Sequence, residues 1–304
     1  YKRQRWDIAG DVYAVNPAKT AIQSGTGGGT GSSFTLRQRS TSLVTGNFGY
    51  FLRGQGNIDA EIESGAVVFA PTGTTAGGAG FIAISQNASA EHRFVNRGRV
   101  VGGNKGFNFG GLSRTVYFEN TGEYVGGSVG VELRSDGSPG GLIEVVNTGI
   151  IRGGPNVITN VGDATSLYSG SGLFVTNNGG ETVLDLDGDV TGAFHGVVVA
   201  ADGYPFGLDP SGNPVARPPP NPAGPVSIVV RGVVTGGFGG GAGDGIRIEA
   251  RTDNPVQPRY DIRVISGAVT GGMAGQGPLT GPAALSASGA AVSTELAGGG
   301  SLFV

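Results

Sequence analysis

Short runs of alternating apolar residues recur along the chain, and each run ends in a tight turn at a glycine. Seven copies share an apolar run, an anchor glycine and an apolar side chain two residues after that glycine. Successive side chains of a β-strand point to opposite faces, so alternation such as Ile228 and Val230 places one face inward. Each copy therefore predicts a strand, a tight turn and a second strand. The anchor glycines are Gly65, Gly98, Gly122, Gly149, Gly188, Gly232 and Gly267.

A third apolar segment follows each pair of strands. Segments beginning at Gly106, Gly130 and Gly196 each start eight residues after their anchor glycine. In the other copies the equivalent segments begin at Gly80, Gly172, Gly245 and Ala283. Each of these starts further from its anchor glycine, because an insert lies between. Three short strands per repeat, joined by turns, are typical of the coils of a solenoid. The predicted fold is all-β, a single parallel β-helix (β-solenoid).

Equivalent apolar residues of neighbouring copies should stack on one another, about 4.8 Å apart. We expect the anchor glycines to fix turns that need a positive φ, so Gly149→Val should disturb folding. The predicted stacks are Phe118, Val145, Leu184 and Tyr124, Ile151, Val190.

The repeat divides the chain into two parts. Residues 58–304 predict a β-solenoid of about seven or more coils, whereas residues 1–57 lack the clean pattern and predict an atypical N-terminal extension or cap. The glycine-rich run at 25–33 inside this part resembles a linker. We expect it to pack either on its own solenoid or on a neighbouring subunit.

Composition narrows the possible partners. The chain has 61 glycines in 304 residues, but its Val, Ile, Leu and Phe positions are periodic, which favours a stacked core over disorder. With 20 Lys and Arg against 23 Asp and Glu, no basic stripe is available, so nucleic acid is not an expected partner. There is no cysteine, and no apolar run reaches the roughly 18 residues of a transmembrane helix.

Inserts between the strands are the places where loops should project. The main ones lie at 157–171, 201–225 and 251–260. The second contains the proline-rich run 217–222, which favours an extended polyproline conformation and cannot join a central strand ladder. Function in scaffolded repeats often resides in such loops.

Candidate chemistry is sparse. His92 and His195 are the only histidines, and we interpret both as structural. The best candidate cation site is Asp185, Asp187 and Asp189: if Leu184 and Leu186 point inward, Asp185 and Asp187 point outward together. We favour a solvated face with an Asp-Gly turn, because two oxygens are far fewer than the roughly six to eight that Ca²⁺ binds. No catalytic residue or cofactor is predicted.

Two short motifs are weak evidence for a calcium site and for a glycosylation site. The run 239–246 is similar to one calcium-binding nonapeptide of toxin-type β-rolls, but it occurs once and is a residue short, which favours a plain turn. Asn87, Ala88 and Ser89 form a glycosylation sequon, a three-residue pattern that is common by chance.

The repeats themselves resemble a known architecture. Residues 96–103, 147–154 and 232–237 resemble the coils of right-handed parallel β-helix passenger domains of bacterial autotransporters and related adhesins. The resemblance covers about residues 58–304 and implies a secreted or cell-surface bacterial protein. It departs from the family pattern in that no translocating β-barrel follows within this sequence.

Three functions are compatible with this pattern. The first is a non-enzymatic surface protein that self-associates end to end, as a homopolymer, into a fibre or layer. Its sequence arguments are the segment 1–57 as an inter-subunit contact and the apolar strand at 295–304, which we expect to be covered by further chain or by another copy. The second is a monomeric adhesin passenger whose loops contact host or neighbouring cells. The third is a polysaccharide lyase or hydrolase using Asp185 and Asp187.

Overall fold

A computed structural model shows a parallel β-solenoid, as the repeat predicts. It describes residues 3–14, 20–24, 33–70, 78–135, 141–155, 168–201, 206–208, 214–216, 224–237, 243–251, 259–271, 292–297 and 301–303. Strands are the main element of these residues, and none of the residues belongs to an α-helix, so no helix among them could span a membrane.

Three parallel sheets, which we call A, B and C, run along the solenoid. Sheet A contains β1 (Arg3–Ile8), β4 (Ser33–Gln38), β7 (Ile58–Ile62), β10 (Glu91–Asn96), β13 (Thr115–Asn120), β16 (Leu142–Asn147), β19 (Glu181–Leu186), β24 (Val226–Val230), β27 (Arg259–Val264) and β30 (Ser301–Phe303). Sheet B contains β2 (Val12–Tyr13), β5 (Leu43–Thr45), β8 (Val67–Ala70), β11 (Arg99–Gly102), β14 (Glu123–Gly126), β17 (Ile150–Gly153), β20 (Asp189–Gly192), β25 (Val233–Thr235) and β28 (Ala268–Thr270).

Sheet C contains β3 (Thr20–Ser24), β6 (Phe48–Gly54), β9 (Phe81–Gln86), β12 (Lys105–Leu112), β15 (Val129–Ser135), β18 (Leu173–Asn177), β21 (Val197–Ala200), β26 (Ile246–Arg251) and β29 (Val292–Ala297). One strand from each sheet, in the order A, B, C, makes a coil, and the described strands make nine coils followed by β30. A separate antiparallel hairpin, β22 (Phe206–Leu208) with β23 (Pro214–Ala216), lies within the insert between coils 7 and 8.

The core is the set of inward side chains of the three sheets, stacked coil on coil. The two predicted stacks are confirmed: Phe118, Val145 and Leu184 are register partners in sheet A, and Tyr124, Ile151 and Val190 are partners in sheet B. None of these six residues is more than 2% exposed. Alternation of apolar residues with period two therefore determines which face of each strand is buried.

The N-terminal boundary at residue 57 requires a correction. Strands β1 to β6 lie in the same three sheets as the rest, with Phe34 paired to Ile58 and Leu36 to Ala60, so the described residues between 3 and 54 belong to coils 1 and 2. The repeat was hard to see there because Thr41, with φ 68°, stands where the next coil has Gly65, with φ 86°. The pattern of anchor glycines does not reveal this turn, because a threonine adopts the left-handed conformation in it.

The C-terminal coil also differs from prediction. Its sheet C strand is β29, which pairs with β26, rather than a segment starting at Ala283. Residues 283–285, the glycine-rich residues 25–32 and the proline-rich run 217–222 lie outside the described residues.

The anchor glycines are explained by close packing more than by backbone conformation. Of the seven, only Gly65 has a positive φ. A Cβ on Gly149 would lie 2.1 Å from the backbone oxygen of Gly122, and one on Gly188 would lie 2.0 Å from that of Gly149. The glycines form a column in which each turn packs directly on the turn of the preceding coil.

Candidate functional site

The predicted acidic group is divided between two sheets. Leu184 and Leu186 are fully buried, which places Asp185 and Asp187 outward as predicted, whereas Asp189 begins β20 of sheet B. Arg231 of the next coil binds both carboxylates, with Nη1 2.5 Å from Asp185 Oδ1 and 2.8 Å from Asp187 Oδ1. The hydrogen bond to Asp187 raises the pKa of Arg231.

A guanidinium therefore pairs with both carboxylates that would have bound a cation, and it offsets one of their two negative charges. Across the described ranges, no three metal-ligating side chains converge. The pair acts as an inter-coil contact in this structure.

His92 points into the core of sheet A. It is 2% exposed, its Nδ1 accepts a hydrogen bond from the Ile58 backbone N–H at 3.1 Å, and its ring lies 5.0 Å from that of Phe109. Burial lowers the pKa of His92 to about 4, so the imidazole is neutral at pH 7. This geometry agrees with the interpretation of His92 as a structural residue.

His195 lies at the corner between sheets B and C. Its Nδ1 accepts a hydrogen bond from the Asp244 backbone N–H at 3.1 Å, and the Asp244 carboxylate Oδ2 lies 3.7 Å from the same nitrogen. Asp244 Oδ2 is also 3.7 Å from Arg247 Nη1. His195 therefore links coils 7 and 8, and Asp244 of the glycine-rich run belongs to this corner; residues 239–242 of that run lie outside the described part of the chain.

The outer face of sheet C is covered over coils 5 to 8, unlike a solvated solenoid face. Phe174, Val198 and Ala200 point away from the core yet are fully buried, and they form a second apolar cluster with Val129 and Tyr168. The Tyr168 ring stacks on Phe174 with 4.4 Å between centroids. We call this region the covered face.

Charged groups at the covered face are the most buried in the described structure. Lys105 Nζ lies 2.6 Å from Glu132 Oε2, with side chains only 7% and 3% exposed. The Tyr168 hydroxyl donates to Glu249, whose other carboxylate oxygen lies 2.6 Å from Arg247 Nε. The Tyr168–Glu249 hydrogen bond attaches the segment at residue 168 to β26, and the Lys105–Glu132 ion pair joins β12 to β15. Sequence reasoning missed them, because Tyr168 and Glu249 are 81 residues apart and follow no repeat.

Over coils 1 to 5, the outer face of sheet A carries a charge ladder whose paired residues alternate in sign from coil to coil. Asp7 of coil 1 pairs with Arg39 of coil 2 at 2.7 Å, and Arg39 and Arg37 pair with Glu63 of coil 3 at 3.3 and 2.7 Å. The hydrogen bond from Arg39 lowers the pKa of Asp7. Further along, Arg97 of coil 4 contacts both Glu61 and Glu119. Such pairs penalise a shift in coil register, since a shift would bring like charges together.

A second ladder lies inside, at the corner between sheets A and B. Asn96, Asn120 and Asn147 are fully buried and occupy equivalent positions of three successive coils. Asn96 Nδ2 donates to Asn120 Oδ1 at 2.9 Å, and Asn120 Nδ2 donates to Asn147 Oδ1 at 2.7 Å. We call this the asparagine ladder.

Asn87 of the sequon also has a structural role. Its Nδ2 donates to the Gln55 backbone oxygen at 2.7 Å, and its Oδ1 accepts from the Ser89 backbone N–H at 2.9 Å. The amide nitrogen that a glycan would modify is therefore occupied in holding a turn.

Comparison with known proteins identifies no relative of this chain. The chain matches no protein-family model, no curated protein and no solved structure. A function for this solenoid has to be argued from its own geometry.

Proposed function

We propose that this chain is a non-enzymatic extracellular structural protein of bacteria, a subunit of a self-associating cell-surface fibre or layer built by end-to-end contacts between solenoids. The observation that carries the proposal is the axial face of coil 1. Trp6, Ile8, Val12 and Ala21 pack against the core there, but they are only partly buried, whereas their equivalents in coils 2 to 8 are buried.

Backbone pairing at this face supports the same interpretation. Among the described strands, β1, β2 and β3 each pair on one side only. An edge strand presents free N–H and C=O groups that pair readily with a further strand. A further coil, stacked in the register used within the chain, would satisfy these groups and bury the four side chains, and we propose that another copy supplies it.

The geometry of such a contact favours polymers over closed oligomers. Unlike ends that meet head to tail form a heterologous interface, which generates open filaments unless the rotation between copies closes a ring. The alternating charges of sheet A and the asparagine ladder already impose one register on stacked coils. The extracellular location rests on the resemblance of the repeats to autotransporter passenger domains.

Negative-stain microscopy of purified variants tests the proposal. Ile8→Lys would place an unpaired charge in the axial contact, so we expect fibres from the wild-type chain and none from this variant. Tyr13→Lys is the matched control, since Tyr13 lies in the same coil but its side chain is already 59% exposed. Monodisperse wild-type monomers at high concentration, or equal fibre formation by both variants, would contradict the proposal.

A monomeric adhesin passenger is the second candidate, and the hairpin formed by β22 and β23 favours it. This hairpin is an ordered element in an insert rather than part of a coil. If it binds host or neighbouring cells, deletion of residues 202–223 should abolish cell binding without affecting assembly. The lyase or hydrolase alternative gains no support from Asp185 and Asp187, because both carboxylates bind Arg231.

A further inference from the structure

The outer face of sheet B carries two rows of side chains along the solenoid axis, over coils 3 to 6. The first row consists of Val67, Arg99, Glu123 and Ile150, which are successive register partners. The second row consists of Phe69, Val101, Val125 and Arg152, also successive partners. The first row reads apolar, positive, negative, apolar, so reversing its direction matches each charge with its opposite.

These rows are open to solvent to an extent unusual for apolar strand residues. Phe69 is 39% exposed, and the apolar members Val67, Val101, Val125 and Ile150 are half-buried. The side chains of Arg99 and Arg152 are 54% and 55% exposed. A flat sheet surface with exposed aromatic and β-branched side chains around a central charge pair is a good candidate for a protein interface.

We propose that two copies of this chain pack laterally and antiparallel through this face, about a two-fold axis that runs parallel to the strands between β11 and β14. This contact is separate from the end-to-end contact proposed above. The axis places Arg99 opposite Glu123 of the second copy and Val101 opposite Val125 of the second copy. It also places Val67 opposite Ile150 of the second copy, so every pair in the first row is complementary.

A cleft on this face could receive the exposed ring of Phe69 from the second copy. The cleft, about 410 Å³, opens on the same face and is lined by Val125, Arg152, Pro155, Thr191, Ala193 and three glycines. The two-fold axis brings Phe69 of the second copy opposite Arg152, at this cleft. Its ring would enter an apolar recess with a guanidinium beside it, the arrangement of a cation–π contact. The symmetry places two such contacts at opposite ends of the interface.

The size of the contact determines how strong it can be. Four coils at about 4.8 Å and strands of four residues give a face of roughly 20 by 13 Å, or roughly 250 Å² per copy. Stable interfaces bury roughly 800 Å² per partner, so an isolated pair should be weak. When many copies are aligned, the same contact repeats along the assembly and holds neighbouring solenoids side by side.

Cysteine cross-linking tests the geometry, because the chain has no cysteine of its own. Val67→Cys and Ile150→Cys leave the charges and Phe69 intact. A mixture of the two variants, treated with a bismaleimide spanning the roughly 10 Å between packed sheets, should give a covalent heterodimer on a denaturing gel. Val67→Cys alone should react at least several-fold more slowly, since its symmetry mate lies three coils away along the axis.

Charge reversal tests the pairing independently of cross-linking. Arg99→Glu and Glu123→Arg should each weaken self-association about tenfold in sedimentation velocity, because each brings like charges together across the axis. A mixture of the two variants should recover it, because position 99 of one copy then faces the opposite charge at position 123 of the other. This recovery cannot come from folding, since each chain keeps its own like-charge pair.

Absence of the heterodimer, equally fast self-cross-linking of Val67→Cys, or failure of the mixed variants to associate would overturn the lateral interface. The cross-link and the recovery in the mixture of charge variants each report a residue pairing across the lateral contact, which end-to-end stacking does not create. A failure here therefore leaves end-to-end assembly standing, and a failure of end-to-end assembly leaves this test valid.

Discussion

At the residue scale, the anchor glycines are required because turns of successive coils pack backbone on backbone. The sequence pattern identified the right residues but suggested the wrong physical reason for most of them. Gly149 does not have a positive φ, and what excludes a side chain there is the Gly122 backbone 2.1 Å away from the position of a Cβ. A clash between residues 27 positions apart follows from stacking and could not be derived from local turn preferences.

Replacing Gly149 with alanine should therefore be costly even though alanine adds only a methyl group. We expect a loss of about 3 kcal/mol in the free energy of unfolding, because neighbouring backbone must move. Gly110→Ala, in β12, is the control: nothing lies within 4 Å of its Cβ position. Urea unfolding of both variants measures the difference, and equal midpoints would refute the packing explanation.

His92 predicts how stability depends on pH. The unfolded chain binds a proton near pH 6.5 and the folded chain only near pH 4, so protons favour the unfolded state between these values. Stability should be complete above about pH 6.5 and fall as the pH decreases towards 4, by about 2 kcal/mol between pH 7 and pH 5.

Urea unfolding at pH 7 and pH 5 measures this effect, and His92→Gln is the comparison variant. In this variant, the free energy of unfolding should change little between pH 7 and pH 5. Asp7 and Glu63, whose pKa values are lowered, lose their stabilising charge only at more acidic pH and do not interfere. A wild-type protein equally stable at both pH values would contradict the role assigned to His92.

At the element scale, the asparagine ladder holds three coils in register, and in these coils the turn between sheets A and B is short. Two residues separate β10 from β11, against four between β7 and β8. In the short turn, the Gly98 backbone N–H donates to Asn96 Oδ1 at 3.1 Å, so each asparagine holds its own turn as well as its neighbour. Inward asparagines at equivalent places were visible in the sequence, but their direct bonding depends on the exact stacking.

Asn120→Ala should destabilise the solenoid by about 3 kcal/mol, because it leaves the buried Asn96 donor and Asn147 acceptor without this partner. Asn108→Ala, a half-buried outward position in β12, should cost well under 1 kcal/mol. Thermal unfolding monitored by circular dichroism compares the two. A similar loss in both variants would mean that the ladder bonds contribute little.

The ion pair on the covered face should behave as a buried pair. Lys105→Met and Glu132→Leu should each cost about 3 kcal/mol, since each leaves a buried charge unneutralised. The double variant should cost much less than the sum of the single variants, because two apolar side chains replace the pair. Denaturant unfolding of the four proteins gives the coupling energy, and simple additivity would show that the two charges do not depend on each other.

Much of each coil could be predicted from the sequence, and the reasons for the failures are specific. Strands of sheets A and B follow from the anchor glycines, and the buried stack of Phe118, Val145 and Leu184 follows from alternation. Coil 2 was missed because Thr41 takes the glycine position. The covered face was missed because an insert side chain, Tyr168, meets a strand residue two coils further along, which no period encodes.

At the whole-molecule scale, the same interactions that join coil to coil would join chain to chain. Within the described residues, nine coils stack in three continuous parallel sheets. The charge ladder of sheet A favours one register over coils 1 to 5, and the buried asparagine ladder does so over coils 4 to 6. The axial face of coil 1 presents partly buried core residues and edge strands in this register. A fibre extended by this rule would have its strands perpendicular to its length.

X-ray diffraction from aligned fibres of the purified chain tests this claim most directly. Strands stacked along the fibre should give a reflection near 4.8 Å on the meridian, because that spacing is the rise from coil to coil. Ile8→Lys should remove the fibres that produce it, and Tyr13→Lys should not. If aligned fibres instead give the 4.8 Å reflection on the equator, the solenoids lie across the fibre, and end-to-end stacking is contradicted.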